Sequence, residues 1–143
     1  HRDLHSFPTR RSSDLYGTTT GRPRRCGWLD LVMIKTAIML NSFDEIVITK
    51  LDVLSGINPI KICVAYERDG KRIESVPMNT KNLTPIYIEL PGWNENISSY
   101  KSWEELPKNC KEYVETIEKI INIPISLISV GPDRNQTFKK CPI

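Results

Sequence analysis

Residues 17–30, which read GTTTGRPRRCGWLD, decide how the rest of this chain is interpreted. The stretch combines three threonines, three arginines and glycines, and a tryptophan then opens an apolar run. Glycine lets a backbone approach a ligand closely, and arginine binds a carboxylate or phosphate through paired hydrogen bonds. The composition therefore indicates an anion-binding loop followed by a helix that anchors it. A solvated basic turn is the alternative, because short motifs also occur by chance.

The segment after the loop, residues 27–41, predicts an α-helix. Its apolar side chains recur every three or four residues, and Asn41 and Ser42 are suitable residues to end it. Because the segment is apolar on most sides, we expect a buried helix that holds the arginines of the loop in fixed positions. The residues at helical spacing are Leu29, Val32, Met33, Thr36, Ala37 and Leu40.

A short β-branched run at residues 45–50 predicts a buried strand that leads into Lys50, Leu51 and Asp52. A carboxylate just past the end of a strand lies where α/β sheets bind ligands. Such an aspartate can accept hydrogen bonds from the N1 and N2 hydrogens of guanine, and the lysine stem can lie along the purine ring. We interpret the segment as a guanine-recognition site. An exposed aspartate that starts a turn is the alternative.

Further strands and a second helix are predicted along the rest of the chain. The dipeptide Asp69-Gly70 favours a two-residue hairpin turn, and Trp93 is interpreted as a core residue. The predicted strands are 60–68, 71–75, 86–90 and 124–130, the predicted loops are 76–85 and 94–105, and the predicted helix is 106–122. The apolar stripe of that helix is Tyr113, Val114, Ile117, Ile120 and Ile121, and the residues expected to face water are Glu112, Glu115, Glu118 and Lys119.

The composition limits the classes of function that this chain can have. The whole chain has a net charge of +3, of which residues 16–143 carry +2, and this is too mild to indicate nucleic-acid binding by itself. The most apolar stretch, residues 28–40, is too short to span a membrane. The four cysteines could form two disulfides, but they lack the spacing of a zinc site. Because no secretory signal is recognisable, we expect reduced thiols in a cytoplasmic protein. These cysteines are Cys26, Cys63, Cys110 and Cys141.

The first 15 residues, HRDLHSFPTRRSSDL, show no hydrophobic period and are set apart from the fold. The string HSFPTRRSSDL resembles the translation of a common sequencing adapter. We therefore interpret residues 1–15 as an artefactual or disordered leader and residues 16–143 as the folded unit. A basic, disordered arm that binds nucleic acid is the alternative. Both histidines lie in the leader, so residues 16–143 offer none for a catalytic triad or a metal site.

Four blocks, in this order along the chain, resemble adenylosuccinate synthetase. They are the loop and helix start at 17–30, TKLDVLSG at 49–56, ELPGW at 89–93 and SVGPDR at 129–134. The resemblance extends over nearly all of residues 16–143 and covers only the C-terminal part of that family. The fold class it implies is α/β: the C-terminal part of a larger P-loop-like enzyme, with a mixed sheet, a β-hairpin and two main helices.

The resemblance implies an activity for the whole enzyme. Members of the family join IMP and L-aspartate into adenylosuccinate and convert GTP to GDP and phosphate, with Mg²⁺ as a cofactor. They are cytoplasmic homodimers, and we expect no nucleic-acid or membrane partner. The catalytic residues and the magnesium ligands of the family lie N-terminal to the region matched here. We therefore expect no catalytic residue and no metal ligand in this chain, and no activity from it alone.

The resemblance also implies a set of binding residues. The L-aspartate and IMP site is carried over to Thr18, Thr19, Thr20, Gly21, Arg22, Pro23 and Arg24. GTP binding is carried over to Arg24, Lys50, Leu51, Asp52, Ser129, Val130 and Gly131. Thr19 and Thr20 are expected to donate to the carboxylates of L-aspartate, Arg22 to lie between aspartate and the ribose of IMP, and Arg24 to reach the GTP phosphates. Pro23 stands where many relatives have another arginine.

A non-catalytic basic module that binds nucleotides or RNA is the alternative function. It would bind phosphates through lysines and arginines with strong salt dependence and without preference for guanine. The residues it would use are Arg22, Arg24, Arg25, Lys139 and Lys140. The sequence offers no basic surface interleaved with aromatic residues, which single-strand binders use, so the synthetase interpretation is favoured.

Overall fold

A computed structural model describes residues 26–140 as two small β-sheets and two α-helices, which confirms the predicted α/β class. The elements in chain order are β1 (Leu29–Asp30), α1 (Leu31–Asn41), β2 (Ile46–Ile48), β3 (Ile60–Arg68), β4 (Lys71–Ile73), β5 (Thr84–Leu90), α2 (Lys108–Ile121), β6 (Ile125–Ser129) and β7 (Thr137–Lys139). Short 3₁₀ helices lie at Leu51–Leu54, Ile97–Ser99 and Arg134–Gln136. No helix within residues 26–140 is both long and apolar enough to cross a membrane.

Strand β3 is the centre of the first sheet. It pairs in parallel with β1, where Leu29 lies opposite Ile62 and Asp30 lies opposite Cys63. It pairs antiparallel with β4 and β5. Helix α1 packs against β3, so most side chains of this strand are buried. The segment before α1 is thereby attached to the best-buried strand of the fold.

The second sheet places β6 between β2 and β7. Strands β2 and β6 are parallel, with Ile46 opposite Ile125 and Ile48 opposite Ile128, and β7 is antiparallel to β6. The carboxyl ends of parallel strands meet at the same edge of a sheet. The segments that follow β2 and β6 therefore leave the sheet side by side.

Helix α2 contributes one side of the main core. Its apolar stripe is confirmed, although Ile120 is only partly buried. Trp93 is 3% exposed, and its ring lies 6.0 Å from the ring of Tyr113, which confirms Trp93 as a core residue. The helix ends at Asn122, whose left-handed backbone (φ 56°) breaks the helical path. The buried residues of α2 are Cys110, Tyr113, Val114, Ile117 and Ile121.

Helix α1 differs from its prediction at its start and in its burial. It begins at Leu31 rather than at residue 27, because residues 29 and 30 pair with β3 as a strand. The expectation of a buried helix is wrong: among its residues only Leu31 and Val32 are buried, whereas Met39 and Leu40 are 74% and 73% exposed. A helix that is apolar all round gives no signal of which side faces the core.

The buried strand predicted at 45–50 is also shorter and more exposed than expected. Strand β2 comprises three residues, and Val47 at its centre is 48% exposed. Among the described strands β2 pairs with β6 alone. β-branched residues favour a strand whether one side or both sides are covered, so the sequence pattern could not distinguish the two cases.

The predicted hairpin at Asp69-Gly70 is confirmed. Both residues have positive φ angles of 51° and 73°, as a tight two-residue turn of the primed type requires. Strand 60–68 has its predicted bounds, and the return strand is shorter than the predicted 71–75.

The strand predicted at 86–90 begins two residues earlier. Thr84 and Pro85 lie opposite residues of β3 and extend the ladder into the predicted loop 76–85. The predicted loop 94–105 contains a short 3₁₀ helix. In both places long-range pairing or a local side-chain cap adds order to a segment whose composition is typical of loops.

Glu118 corrects the prediction for the polar side of α2. It was expected to face water, but its carboxylate accepts a hydrogen bond from the backbone N–H of Ile125 at 2.8 Å and pairs with the ammonium of Lys140. The Lys140 side chain is only 2% exposed, and its ammonium lies 5.1 Å from the centre of the Trp103 ring. This pair joins the end of α2 to the end of β7.

Candidate functional site

The predicted guanine-recognition residues come together at one edge of the second sheet. Lys50 and Asp52 follow β2, and Ser129 ends β6, which is its parallel neighbour. The 3₁₀ helix Leu51–Leu54 contacts β6 directly. Two segments that are 77 positions apart in the sequence, counted from Asp52 to Ser129, are thus neighbours at the carboxyl ends of parallel strands.

The segment from Lys50 to Asp52 is tightly fixed. Lys50 adopts a left-handed conformation (φ 58°) that turns the chain away from β2. Leu51 is 1% exposed and anchors the turn in the core, and Asp52 is 9% exposed. The backbone N–H of Ser55 donates to the carbonyl oxygen of Asp52 at 3.1 Å. A nearly buried carboxylate at the end of a strand can recognise the paired donors on one edge of guanine.

The ELPGW block fastens the chain that follows Asp52. The backbone N–H of Gly56 donates to the carbonyl of Trp93 at 2.7 Å, and the indole N–H of Trp93 donates to Ser55 Oγ at 3.1 Å. A Cβ atom at Gly92 would lie 1.8 Å from the carbonyl oxygen of Ile57, so only glycine permits this approach. The block therefore helps to position the segment after Asp52. Its proline and glycine indicate the end of a strand and gave no sign of this role.

The residues at the end of β6 hydrogen-bond to groups that follow a few positions later in the chain. The Ser129 hydroxyl donates to the carbonyl of Gly131 at 3.0 Å. Val130 is fully buried, and its N–H donates to the carbonyl of Gln136 at 2.9 Å. A Cβ atom at Gly131 would lie 2.2 Å from Gln136 Oε1. The backbone there stays close to its neighbours and leaves no room for a larger residue unless Gln136 moves.

Gln136 is a supporting residue that the sequence analysis missed. Its Oε1 accepts from the N–H of Asp133 at 2.9 Å, and its Nε2 donates to the carbonyl of Ser98 at 2.7 Å. Asp133 and Gln136 form a capping box around a single 3₁₀ turn. The spacing Asp-x-x-Gln is the signal that could have found it.

The predicted L-aspartate loop lies outside the described residues. This applies to Thr18, Thr19, Thr20, Gly21, Arg22, Pro23 and Arg24. What the structure describes is the point at which the chain leaves that loop. There Asp30 accepts hydrogen bonds from the backbone N–H groups of Val32 at 2.9 Å and Met33 at 3.1 Å, and from the hydroxyl of Tyr66.

A cavity of about 240 Å³ lies beside Asp30 and is lined by Cys63, Tyr66 and Tyr87 among others. Burial, followed by the neighbouring Asp30, raises the pKa of the Cys63 thiol to about 11. Burial and the hydrogen bond to Asp30 raise the pKa of Tyr66. Both groups therefore stay protonated at neutral pH, and Tyr66 remains a hydrogen-bond donor.

The comparison with known protein families decides the family. The model of the family described as adenylosuccinate synthetase matches residues 8–138. The chain belongs to the adenylosuccinate synthetase family. The resemblance inferred from the four sequence blocks is thereby confirmed.

Relatives show the same affiliation. The chain is 56% identical over 126 residues to an adenylosuccinate synthetase from Fusobacterium nucleatum and 51% identical over 128 residues to one from Methanosarcina barkeri. These matches cover 86% and 87% of this chain, and in each case 30% of the relative. The chain thus spans about a third of the length of the adenylosuccinate synthetases it matches.

The fold agrees with a solved synthetase structure. The fully ligated adenylosuccinate synthetase from Plasmodium falciparum superposes with a TM-score of 0.86 at 41% identity, over 91% of this chain and 32% of that one. The family match includes residues 8–15, and the proposed boundary between a leader and the folded unit at residue 16 stays a prediction.

One groove of this synthetase chain lies away from the predicted nucleotide edge. It measures about 960 Å³ and lies at the start of β6, beside Glu118, Pro124 and Lys140. Lys50 follows the carboxyl end of β2 and Gly131 follows the carboxyl end of β6, whereas the groove lies at the amino end of β6. Within residues 26–140, no group of three or more histidine, cysteine, aspartate or glutamate side chains could hold a metal ion.

Proposed function

We propose that this chain forms the guanine- and L-aspartate-binding part of a ligase that makes adenylosuccinate from IMP and L-aspartate and converts GTP to GDP and phosphate. The observation that carries the proposal is the parallel pairing of β2 with β6, because it brings the segment after Ile48 beside the segment after Ser129. Membership of the family supports the reaction, and the chain supplies about 30% of such an enzyme.

Guanine recognition is proposed for the described edge. The Asp52 carboxylate would accept the N1 and N2 hydrogens of guanine, and adenine offers no such pair of donors. The Lys50 stem would cover one face of the purine. The close backbone at Ser129, Val130 and Gly131 would limit the site to a flat ring. Leu51 would hold the whole segment by its buried side chain.

Binding of L-aspartate and IMP is proposed for residues 18–24. The two carboxylates of L-aspartate match the hydroxyls of Thr19 and Thr20 and the guanidinium of Arg22, since arginine binds carboxylates in a paired geometry. Arg24 would neutralise charge on the GTP phosphates as well. The residues that precede these in the complete enzyme would supply the catalytic groups and the Mg²⁺ site.

The chemistry divides into two steps in this proposal. GTP first phosphorylates O6 of IMP, which turns a poor leaving group into a good one, and the amine of L-aspartate then displaces phosphate. The share of this chain is to orient the guanine and the aspartate and to stabilise negative charge. We place the enzyme in the cytoplasm as a homodimer.

A chimera tests this function most directly. Residues 16–143 replace the matching segment of the Fusobacterium nucleatum enzyme, to which the chain is 56% identical. We expect GTP-dependent formation of adenylosuccinate from IMP and L-aspartate, whereas the 143-residue chain alone binds GDP in preference to ADP without turnover. A folded chimera that makes no adenylosuccinate would overturn the proposal.

The RNA-binding alternative loses one of its residues in the structure. Lys140 is buried and paired with Glu118, so its ammonium cannot reach a phosphate, whereas Lys139 is exposed. The two functions separate in one titration. An RNA module binds single-stranded RNA with an affinity that falls steeply with salt, and the ligase part discriminates between GDP and ADP.

A further inference from the structure

We propose that Tyr66 and Asp30 form a latch that sets the position of the L-aspartate loop, and that both act as positioning residues without touching substrate. This inference rests on the proposed function, since it concerns the loop at residues 18–24. The latch is defined as the hydroxyl of Tyr66 on β3, the carboxylate of Asp30 on β1, and the two helix amides that this carboxylate caps.

Both oxygens of the Asp30 carboxylate accept hydrogen bonds from groups of the chain itself. Its Oδ1 accepts from the backbone N–H of Val32 and of Met33. These two groups lie in the first turn of α1, where backbone N–H groups have no acceptor within the helix. The Oδ2 of Asp30 accepts from the hydroxyl of Tyr66. One side chain thus joins the beginning of the helix to the central strand of the sheet.

The backbone alone attaches this point weakly. Strand β1 has two residues, Leu29 and Asp30, and pairs with β3 over that length only. Tyr66, by contrast, is 8% exposed and is paired on both sides of β3, with Ile73 of β4 and Pro85 of β5. Its hydroxyl therefore adds an attachment from a rigid element to a short one.

The latch lies close to the loop along the chain. Asp30 comes six residues after Arg24 and eight after Arg22. We expect a shift of the β1–α1 junction to weaken the binding of L-aspartate, because the proposed binding residues precede the junction by so few positions in the sequence. Loss of the Tyr66 hydroxyl should therefore weaken the use of L-aspartate and leave the guanine edge on the other sheet unchanged.

The decisive experiment measures Tyr66→Phe in the chimera described above. We expect the KM for L-aspartate to rise about tenfold, and the KM for GTP and kcat to change less than about twofold. Asp30→Asn, which keeps an oxygen for the helix amides, should give a smaller rise. Tyr113→Phe removes a hydroxyl from a buried tyrosine of α2 and serves as the matched control, with all three parameters unchanged.

Hydrogen exchange in the 143-residue chain gives a second readout that does not require turnover. In Tyr66→Phe the amides of Val32 and Met33 should exchange faster, whereas those of α2 keep their protection. Equal losses in every kinetic parameter, or an unchanged KM for L-aspartate in an active chimera, would overturn the latch. If the unmodified chimera makes no adenylosuccinate, the proposed function fails, and the exchange rates then decide the latch by themselves.

Discussion

The carboxylate of Glu118 on α2 pairs with the ammonium of Lys140, which follows β7 and is 2% exposed. The two residues are 22 positions apart and connect the helix to the outer strand of the second sheet. The same carboxylate accepts from the N–H of Ile125 at the start of β6. One acidic side chain therefore connects α2, β6 and β7. Strand β6 is the one that leads to Gly131.

Lys140→Met is expected to destabilise the chain by about 3 kcal/mol, because removing one partner of a buried ion pair leaves the other charge uncompensated. Urea denaturation measures the change in the free energy of unfolding. The exposed neighbour Lys139 provides the control, and Lys139→Met should change stability by less than about 0.5 kcal/mol. The double variant Glu118→Gln/Lys140→Met should recover part of the loss. Equal effects of the two lysine variants would show that the pair is not buried in solution.

Asp52→Asn should lower the affinity of the chain for GDP about 10- to 150-fold, the equivalent of one charged hydrogen bond worth about 1.5–3 kcal/mol. Affinity for ADP should not change, because adenine lacks the paired donors that the carboxylate recognises. Titration calorimetry with both nucleotides measures this. Asp69→Asn makes the same chemical change in the exposed hairpin turn and should leave both affinities intact. A parallel loss for GDP and ADP would contradict guanine recognition by Asp52.

Gly131→Ala should destabilise the chain by about 1–3 kcal/mol, because the new methyl group must displace the Gln136 side chain from its two hydrogen bonds. Gln136→Ala alone should cost a similar amount. In the Gln136→Ala background, Gly131→Ala should cost almost nothing further, since nothing is left to displace. A double-mutant cycle from urea denaturation measures this coupling. Additive losses would mean that alanine at position 131 strains the backbone instead.

Stability should fall with rising pH above about pH 9. Burial raises the pKa of Cys63 from 9.0 to about 11 and that of Cys110 from 9.0 to about 12. Above pH 9 the unfolded thiols lose their protons while the folded ones keep them, so each thiol removes about 1.4 kcal/mol per pH unit until its folded pKa is reached. Their contribution is constant below that window.

Denaturation curves between pH 8 and pH 10.5 measure this slope, and Cys110→Ala should flatten it. Labelling with iodoacetamide at pH 8 provides the control: the exposed Cys26 should react first, and Cys63 and Cys110 should react only on unfolding. Rapid labelling of Cys110 in the folded chain would contradict the expected burial of its thiol.

Local patterns predicted those elements whose structure is determined locally. Helix α2 has a single apolar stripe with charged residues opposite, so its position and its buried side followed from the sequence. The turn at Asp69-Gly70 followed from backbone chemistry. The family resemblance assigned Asp52 and Ser129 to one GTP-binding set, and the parallel pairing of β2 with β6 makes the segments that contain them neighbours.

Long-range contacts explain what the sequence did not reveal. Helix α1 starts at Leu31 because Leu29 and Asp30 pair with β3, where Ile62 lies 33 residues after Leu29. Glu118 is withdrawn from water by Lys140, 22 residues away. Periodicity within one element contains no information on such partners, and a helix that is apolar all round does not reveal which side is covered.

The exposed apolar side chains between the end of α1 and β2 have a consequence for the chain inside a cell. Met39, Leu40, Phe43 and Val47 are between 45% and 74% exposed within nine residues of sequence. Clustered apolar side chains in water attract chaperones, proteases and other unfolded chains. The steady-state abundance of this polypeptide would then depend on quality control as much as on synthesis, and it would rise when another protein surface covers these four side chains.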